Sequence, residues 1–387
     1  MKRITLVLDG SADRANPALG GKTPLEAAVT PHLDGLARRA RLLGRTKNIP
    51  HGLEVGSAVA NMGLLGFDPR AYQGRAALEA AGSGIPTKKE NLYIRMNLVH
   101  LEGPDYERSV LADYSAHEIP THEAKPIAAL LSEKLFHAPY RLHYVGSFRS
   151  VLEIEGGAGL YPMKLAPAHD IIGQGVNQFI HGKKETPLMA LQKGAYELLK
   201  NYGGPCNGVW FWGDSLAPDF PQAEKGRCAF SETILMKGIT AVGGIPNFPV
   251  NEEQPFDDFL KQKAELAVEK LHTGFDRAYV HVQATDDLSH DRNPTGKAQA
   301  LSAVDRVLLP ILLGGMKEDF LLLILSDHFT FSDTGAHGGE PVPFLLFDSR
   351  NQAEKNPSAR FTEACCASSP FVTDAPGTVA LMEGNQV

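Results

Sequence analysis

Asp327 and His328 stand side by side after a dense apolar run, Phe320 to Leu325. His337 lies nine positions past His328, in the Gly-rich stretch Gly335-Ala336-His337-Gly338-Gly339. A second pair, Asp286 and His290, is spaced four apart and follows another strand-like segment, Ala278 to Ala284. Asp9 ends the short apolar run Ile4 to Leu8. Carboxylates and imidazoles delivered together by buried strands form a donor set for a divalent metal ion. Taken alone, Asp9 also fits a turn residue that caps the following loop. Ser57 follows Gly56 and opens a helix-like segment, Ala58 to Gly63. Free N–H groups and the positive dipole end at a helix start favour a phosphate and help an alkoxide form. Serine is also the favoured capping residue there and needs no chemistry to occupy the position.

These residues need a scaffold. The run Phe320 to Leu325 is short enough for a buried parallel strand and far too short to span a bilayer. In open α/β sheets, ligands gather at the carboxyl ends of such strands. Thr30-Pro31 fits the capping and first positions of a helix, with Leu33, Leu36, Ala37 and Ala40 on one face. Helical patterns recur over Phe256 to Leu271 and over Ala298 to Leu313, where Pro310 is expected to kink or end the helix. Pro341 to Phe347 reads as one more strand, its prolines favouring an edge or a strand start. Strands and helices alternate through the C-terminal half, so the expected fold is α/β, a mostly parallel sheet with helices on both faces.

A change of character sets off residues 86–195. Strand-like runs (Leu92 to Val99, Tyr140 to Val145) and a helix near Thr121 to Leu135 predict a smaller α+β domain inserted into a core of 1–85 and 196–387. Its polar candidates are Arg95, His117, Arg149, His169 and Asp170. Gly208 to Asp214 reads as the return to the core sheet, followed by Lys237 to Val242 and a Gly243-Gly244 turn.

Composition narrows the function. With 43% hydrophobic and 21% charged residues, 387 residues fit one large α/β unit or two domains. A net charge of −7 gives no global basic field for nucleic acid. No uninterrupted apolar run approaches the roughly 18 residues of a transmembrane helix, so no membrane partner is expected. The N-terminus reads as a first strand and not a signal peptide. Cys206, Cys228, Cys365 and Cys366 lack zinc-ribbon spacing, which favours a reduced, cytoplasmic setting.

Asp9, Gly56-Ser57, Asp286-x-x-x-His290, Asp327-His328 and His337 occur in the order of the alkaline phosphatase superfamily. Leu19 to Ala28 with Thr30-Pro31, Leu65 to Pro69, Gly74-Arg75 through Gly82, and Ala284-Thr285-Asp286-Asp287 with Ser289-His290-Asp291 extend the match over nearly the whole chain. The sequence resembles the archaeal-type branch of the cofactor-independent phosphoglycerate mutases. That resemblance implies two divalent metal ions (Mn, Mg or Zn). Asp9, Ser57, Asp327 and His328 would hold one, and Asp286, His290 and His337 the other. It implies Ser57 as the nucleophile, a phosphoserine intermediate, and interconversion of 3-phosphoglycerate and 2-phosphoglycerate, a step of glycolysis. The inserted domain would then hold the glycerate. Arg95, in Arg-Met-Asn, resembles a family Arg-x-Asn position, and Arg75, His117, His169 and Lys237 are further candidates for substrate binding. The branch usually has an acidic residue after the serine, whereas Ala58 stands here. Ala58-Val59-Ala60-Asn61 and Val209-Trp210-Phe211-Trp212-Gly213 resemble a bacterial branch proposed to act as a homoserine kinase. The alternative is therefore a phosphotransferase or phosphatase on another small phosphometabolite, although no Gly-x-x-x-x-Gly-Lys loop is present. Oligomeric state and the metal used are left open.

Overall fold

Apolar runs alternating with amphipathic segments build a seven-stranded sheet in the computed structural model, which describes residues 1–179, 186–219, 221–351 and 353–384. Its strands are β1 (Lys2–Leu8), β2 (Leu42–Lys47), β3 (Arg227–Phe230), β4 (Arg277–Val282), β5 (Phe320–Leu325), β6 (Val342–Asp348) and β7 (Val372–Asp374). The order is β7-β2-β6-β5-β1-β4-β3. β5, β1, β4 and β3 run parallel, and only β6 is antiparallel to its neighbours. Every residue of β5 and β6 is buried, as expected of strands covered on both faces. One face packs Ile4, Leu6, Val280, Leu322 and Ile324 against the helices Pro31–Arg39 and Phe256–His272. The other, with Thr5, Tyr279 and Leu323, is covered by α1 (Ser57–Leu64) and a C-terminal helix, Ala375–Met382. The expected α/β architecture is the one found.

One helix reading is corrected, and of another one alternative drops out. Thr30 makes no side-chain cap on Pro31–Arg39. Asp305 takes that role, accepting from His32 N at 3.2 Å and Leu33 N at 2.7 Å, so a residue 273 positions away replaces the local signal. Pro310 does not end its helix, which runs from Pro294 to Gly315 through a π-turn at Val304–Leu308. That wider turn lies where the Pro310 ring would otherwise meet the preceding carbonyl. At 22 residues this helix reaches bilayer length, unlike any uninterrupted apolar run in the sequence, but half of its most apolar stretch is buried. Its Lys297 is fully buried on Asp13 (3.0 Å), as suits a core helix.

The chain divides into two compact units, Met1–Tyr72 with Phe220–Val387, and Gln73–Asp219. The second is an antiparallel sheet of Val110–Asp113, Leu92–Glu102, Arg149–Ile154 and Tyr140–Gly146, with Gly208–Ser215 paired to Leu92–Glu102. Gly208 to Asp214 is thus not a return to the core sheet. Its apolar run marks a buried strand but carries no record of its partner. The unit's edges move outward from 86 and 195 for the same reason, and because Ala76–Gly82 packs Ala76, Ala77 and Ala80 on Tyr93 and Val151. Lys237 to Val242 belongs to a helix, Ile234–Val242, whose cap Thr233 accepts from Met236 N.

Candidate active site

β1, β4 and β5 are adjacent and parallel, so their carboxyl ends open on one edge. Asp9 follows β1, Asp327 and His328 follow β5, and α2 (Ala284–His290) follows β4. Four-residue spacing on α2 puts Asp286 and His290 on one face, with His290 Nε2 3.2 Å from Asp286 Oδ2. His337 enters on a two-residue bridge, His337–Gly338, paired with Phe329–Thr330. Its Nε2 lies 3.6 Å from Asp286 Oδ1 and 3.1 Å from His290 Nε2.

Two donor groups result. Asp286, His290 and His337 form one, and Asp9, Asp327 and His328 the other, each with its donor atoms within 4.8 Å of one another. Ser57 is the first residue of α1, and its hydroxyl joins the second group, 3.0 Å from His328 Nε2 and donating to Asp9 Oδ1 at 3.4 Å. Asp9, Ser57, Asp327, His328, Asp286, His290 and His337 thus come together at one sheet edge.

The charges are out of balance. Burial pushes the Asp9 carboxyl well above the usual carboxylate range, and the neighbouring Asp327 and Asp286 add to it. Burial also opposes ionisation of Asp286, but hydrogen bonds from His290 and His337, the charge of His328 and the Thr330 hydroxyl carry it well below that range. The Asp286 hydrogen bond raises His290. Three crowded carboxylates, one of them pushed well above its ordinary range, are what bound cations would relieve. Oxygen and imidazole donors in these numbers fit Mn, Zn or Mg.

Several residues of the site escaped the sequence reading. Asn61, one turn after Ser57, donates to Asp327 Oδ2 and Ser57 O, both at 2.8 Å, and accepts from Tyr279 Oη at 2.5 Å. His281, on β4, sets Nε2 3.0 Å from Asp9 Oδ2 and bonds Ser231 Oγ through Nδ1 at 3.2 Å. Burial drives its pKa down to about 4, so it faces Asp9 as a neutral ring. Thr330 donates to Asp286 at 2.6 Å, and its carbonyl is held by buried Lys297 at 2.8 Å. A histidine inside the apolar run Ala278 to Val282 was the one signal open to reading.

The substrate candidates separate. In the second unit Arg95 donates to Glu79 Oε2 at 3.0 Å, and Arg75 pairs with Glu79 Oε1 at 3.3 Å. The Arg95 guanidinium lies over the Trp212 ring (3.7 Å), whose edge meets His169 at 5.4 Å between centroids. Burial holds Arg95 below its ordinary range. Glu79 opposes this, and the positive charges of Arg75 and Arg149 reinforce it. Arg75, Arg95 and Arg149 therefore make a cationic cluster with one buried acid, and His169 meets it through the Trp212 ring. His117 does not join it. It is exposed, at φ 58°, beside Asp113 (3.6 Å) and His100. Lys237 is on helix Ile234–Val242 of the other unit.

A family model described as 2,3-bisphosphoglycerate-independent phosphoglycerate mutase matches residues 37–203. A protein of that name from Methanosarcina barkeri is 34% identical over 367 residues, covering 90% of each chain. A "probable" one from Geobacter sulfurreducens is 32% identical, covering 97% of each chain. Among solved structures, a Pyrococcus horikoshii protein superposes with a TM-score of 0.80 at 24% identity, covering 99% of this chain and 96% of that one. The cofactor-independent phosphoglycerate mutase of Thermoplasma acidophilum gives 0.65 at 22%, covering 99% of each. These two similarities establish the shared fold.

Proposed function

The chain belongs to the family of 2,3-bisphosphoglycerate-independent phosphoglycerate mutases, and from that premise we propose that it interconverts 3-phosphoglycerate and 2-phosphoglycerate through a phosphoserine on Ser57. The observation that carries this reading is the Ser57 hydroxyl, seated at a helix start and between Asp9 and His328. Ser57 Oγ gives up its proton and attacks phosphorus, an Oγ–P bond forms, and the bond from phosphorus to the C3 oxygen breaks. The C3 oxygen takes a proton. The C2 hydroxyl then attacks the phosphoserine, gives up its proton, and carries the phosphoryl group away, which frees Ser57.

Two divalent ions (Mn, Mg or Zn) would be held by Asp9, Ser57, Asp327 and His328, and by Asp286, His290 and His337. Such ions supply charge that eases ionisation of the serine and offsets the phosphoryl oxygens. The α1 start, with its free N–H groups, supports the same phosphoryl group. Arg95, with Arg75 and His169, grips the glycerate carboxylate. His117 and Lys237 are weaker candidates. Four free cysteines accord with a cytoplasmic setting.

Ala58 beside Ser57 favours, as a second reading, transfer to or from another small phosphometabolite such as homoserine phosphate. Rapid quench with 3-phosphoglycerate and peptide mass spectrometry separates the two. A phosphorylated Ser57 peptide, lost in Ser57→Ala while fold and metal content persist, is the expected result. Full turnover by Ser57→Ala would remove the nucleophile assignment. Turnover only with ATP and homoserine would favour the second reading.

A further inference from the structure

A second cationic site lies in the first unit, at the opposite end of the sheet from Ser57. Arg3 of β1, Arg277 of β4 and Arg227 of β3 stand in register, Arg3 opposite Arg277 and Arg277 opposite Arg227. Thr5 and Tyr279, two residues further along β1 and β4, lie on the same face. The end of α1 (Leu64, Leu65) and the C-terminal helix (Val379, Met382) line a recess that is open to solvent on one side.

Neighbouring acids offset this row only in part. Glu383 pairs with Arg277 and, at 3.7 Å, with Arg3. Glu224 reaches Arg227 and Arg277 at 3.4 Å, but its side chain is 73% exposed. Among the described residues, three guanidinium groups thus meet two carboxylates. Lys2 and Asp276, next in sequence, neutralise one another at 3.0 Å. The Nε atoms of Arg3 and Arg227 are buried without a hydrogen-bond partner. That leaves one guanidinium charge unmatched and two buried N–H donors without a protein partner, both of which a bound anion would satisfy.

We propose that this recess binds a small carboxylate with an apolar body. The carboxylate would accept from the arginine row, whose planar forks suit it. The chain would lie on Leu64, Leu65, Ile245 and Val379, the apolar part of the wall. Acetate lacks the apolar body and hexylammonium has the wrong charge, so neither meets both requirements.

Calorimetric titration of the full-length, metal-loaded protein with hexanoate, acetate and hexylammonium tests this. Hexanoate is expected to bind at least about tenfold tighter than either of the others. Arg277→Gln should weaken it about tenfold or more, and Val379→Phe, which fills the recess while keeping every charge, should weaken it as much. Arg95→Ala should leave it unchanged. The proposal is overturned if hexanoate binds no better than acetate, if Val379→Phe binds it like the parent, or if Arg95→Ala abolishes binding, which would place the ligand in the other cationic cluster. Should Arg277→Gln fail to fold, Val379→Phe decides alone.

Discussion

His290 and His337 turn their Nε2 atoms toward each other at 3.1 Å, and both toward Asp286. Two imidazole nitrogens and a carboxylate that converge from a helix and a distant bridge have little reason to meet except around a shared partner. Asp286→Asn and His337→Ala are therefore each expected to lower bound metal by about one ion per chain, measured by elemental analysis after dialysis. Unchanged stoichiometry in both variants would refute the grouping.

Asn61 ties α1 to the same centre, because one amide holds both Asp327 Oδ2 and Ser57 O. Removing it leaves a buried carboxylate and Tyr279 Oη short of a partner. Asn61→Ala should cost about 1–3 kcal/mol of stability. It should also weaken metal binding roughly 10–100-fold, as loss of a supporting hydrogen bond does. Denaturant melts and metal titration read the two effects separately. A stable variant with parental metal affinity would contradict both.

Ser57, Asp9, Asp286, His290, Asp327, His328 and His337 could be picked out in the sequence by their order, and the fold brings these side chains together at one sheet edge. His281 and Asn61 could not be picked out. A buried histidine in a strand and an asparagine one helical turn from a serine are ordinary residues until the fold shows what they face. The same limit explains Gly208–Ser215. Its apolar content marked a buried strand, but strand partnership depends on residues more than a hundred positions away, Val99 opposite Gly208 among them. Asp305, the unforeseen cap of Pro31–Arg39, is distant in sequence in the same way.

Arg95 engages Glu79 through Nε and lies flat on Trp212. A lysine keeps the charge but loses both the planar stack and the fork. Arg95→Lys should raise KM for phosphoglycerate about tenfold or more with metal content unchanged. A parental KM would remove Arg95 from the substrate site.

Glu363 gives the fold a pH dependence of its own. Burial raises its pKa to about 7, against hydrogen bonds from Thr23 and the Asp13 backbone N–H and the charge of Lys297. The ordinary value is 4.5, so between those values the folded chain binds the proton more tightly. The stability gained is complete below the unfolded pKa and is lost as pH rises through about 7. Glu363→Gln keeps the group neutral and should stabilise the protein by about 1–3 kcal/mol above neutral pH, with little gain in acid. Urea melts at either end of this range check it. An equal gain at both would show that ionisation is not the cause.

The central claim is that one phosphoryl group leaves 3-phosphoglycerate, rests on Ser57 and returns to the neighbouring oxygen. Phosphorus NMR of the metal-loaded protein with 3-phosphoglycerate, quenched and chelated before acquisition, tests it most directly. The account predicts 2-phosphoglycerate growing to a fixed ratio with no free phosphate. Free phosphate alone, or an unchanged 3-phosphoglycerate signal, would contradict it.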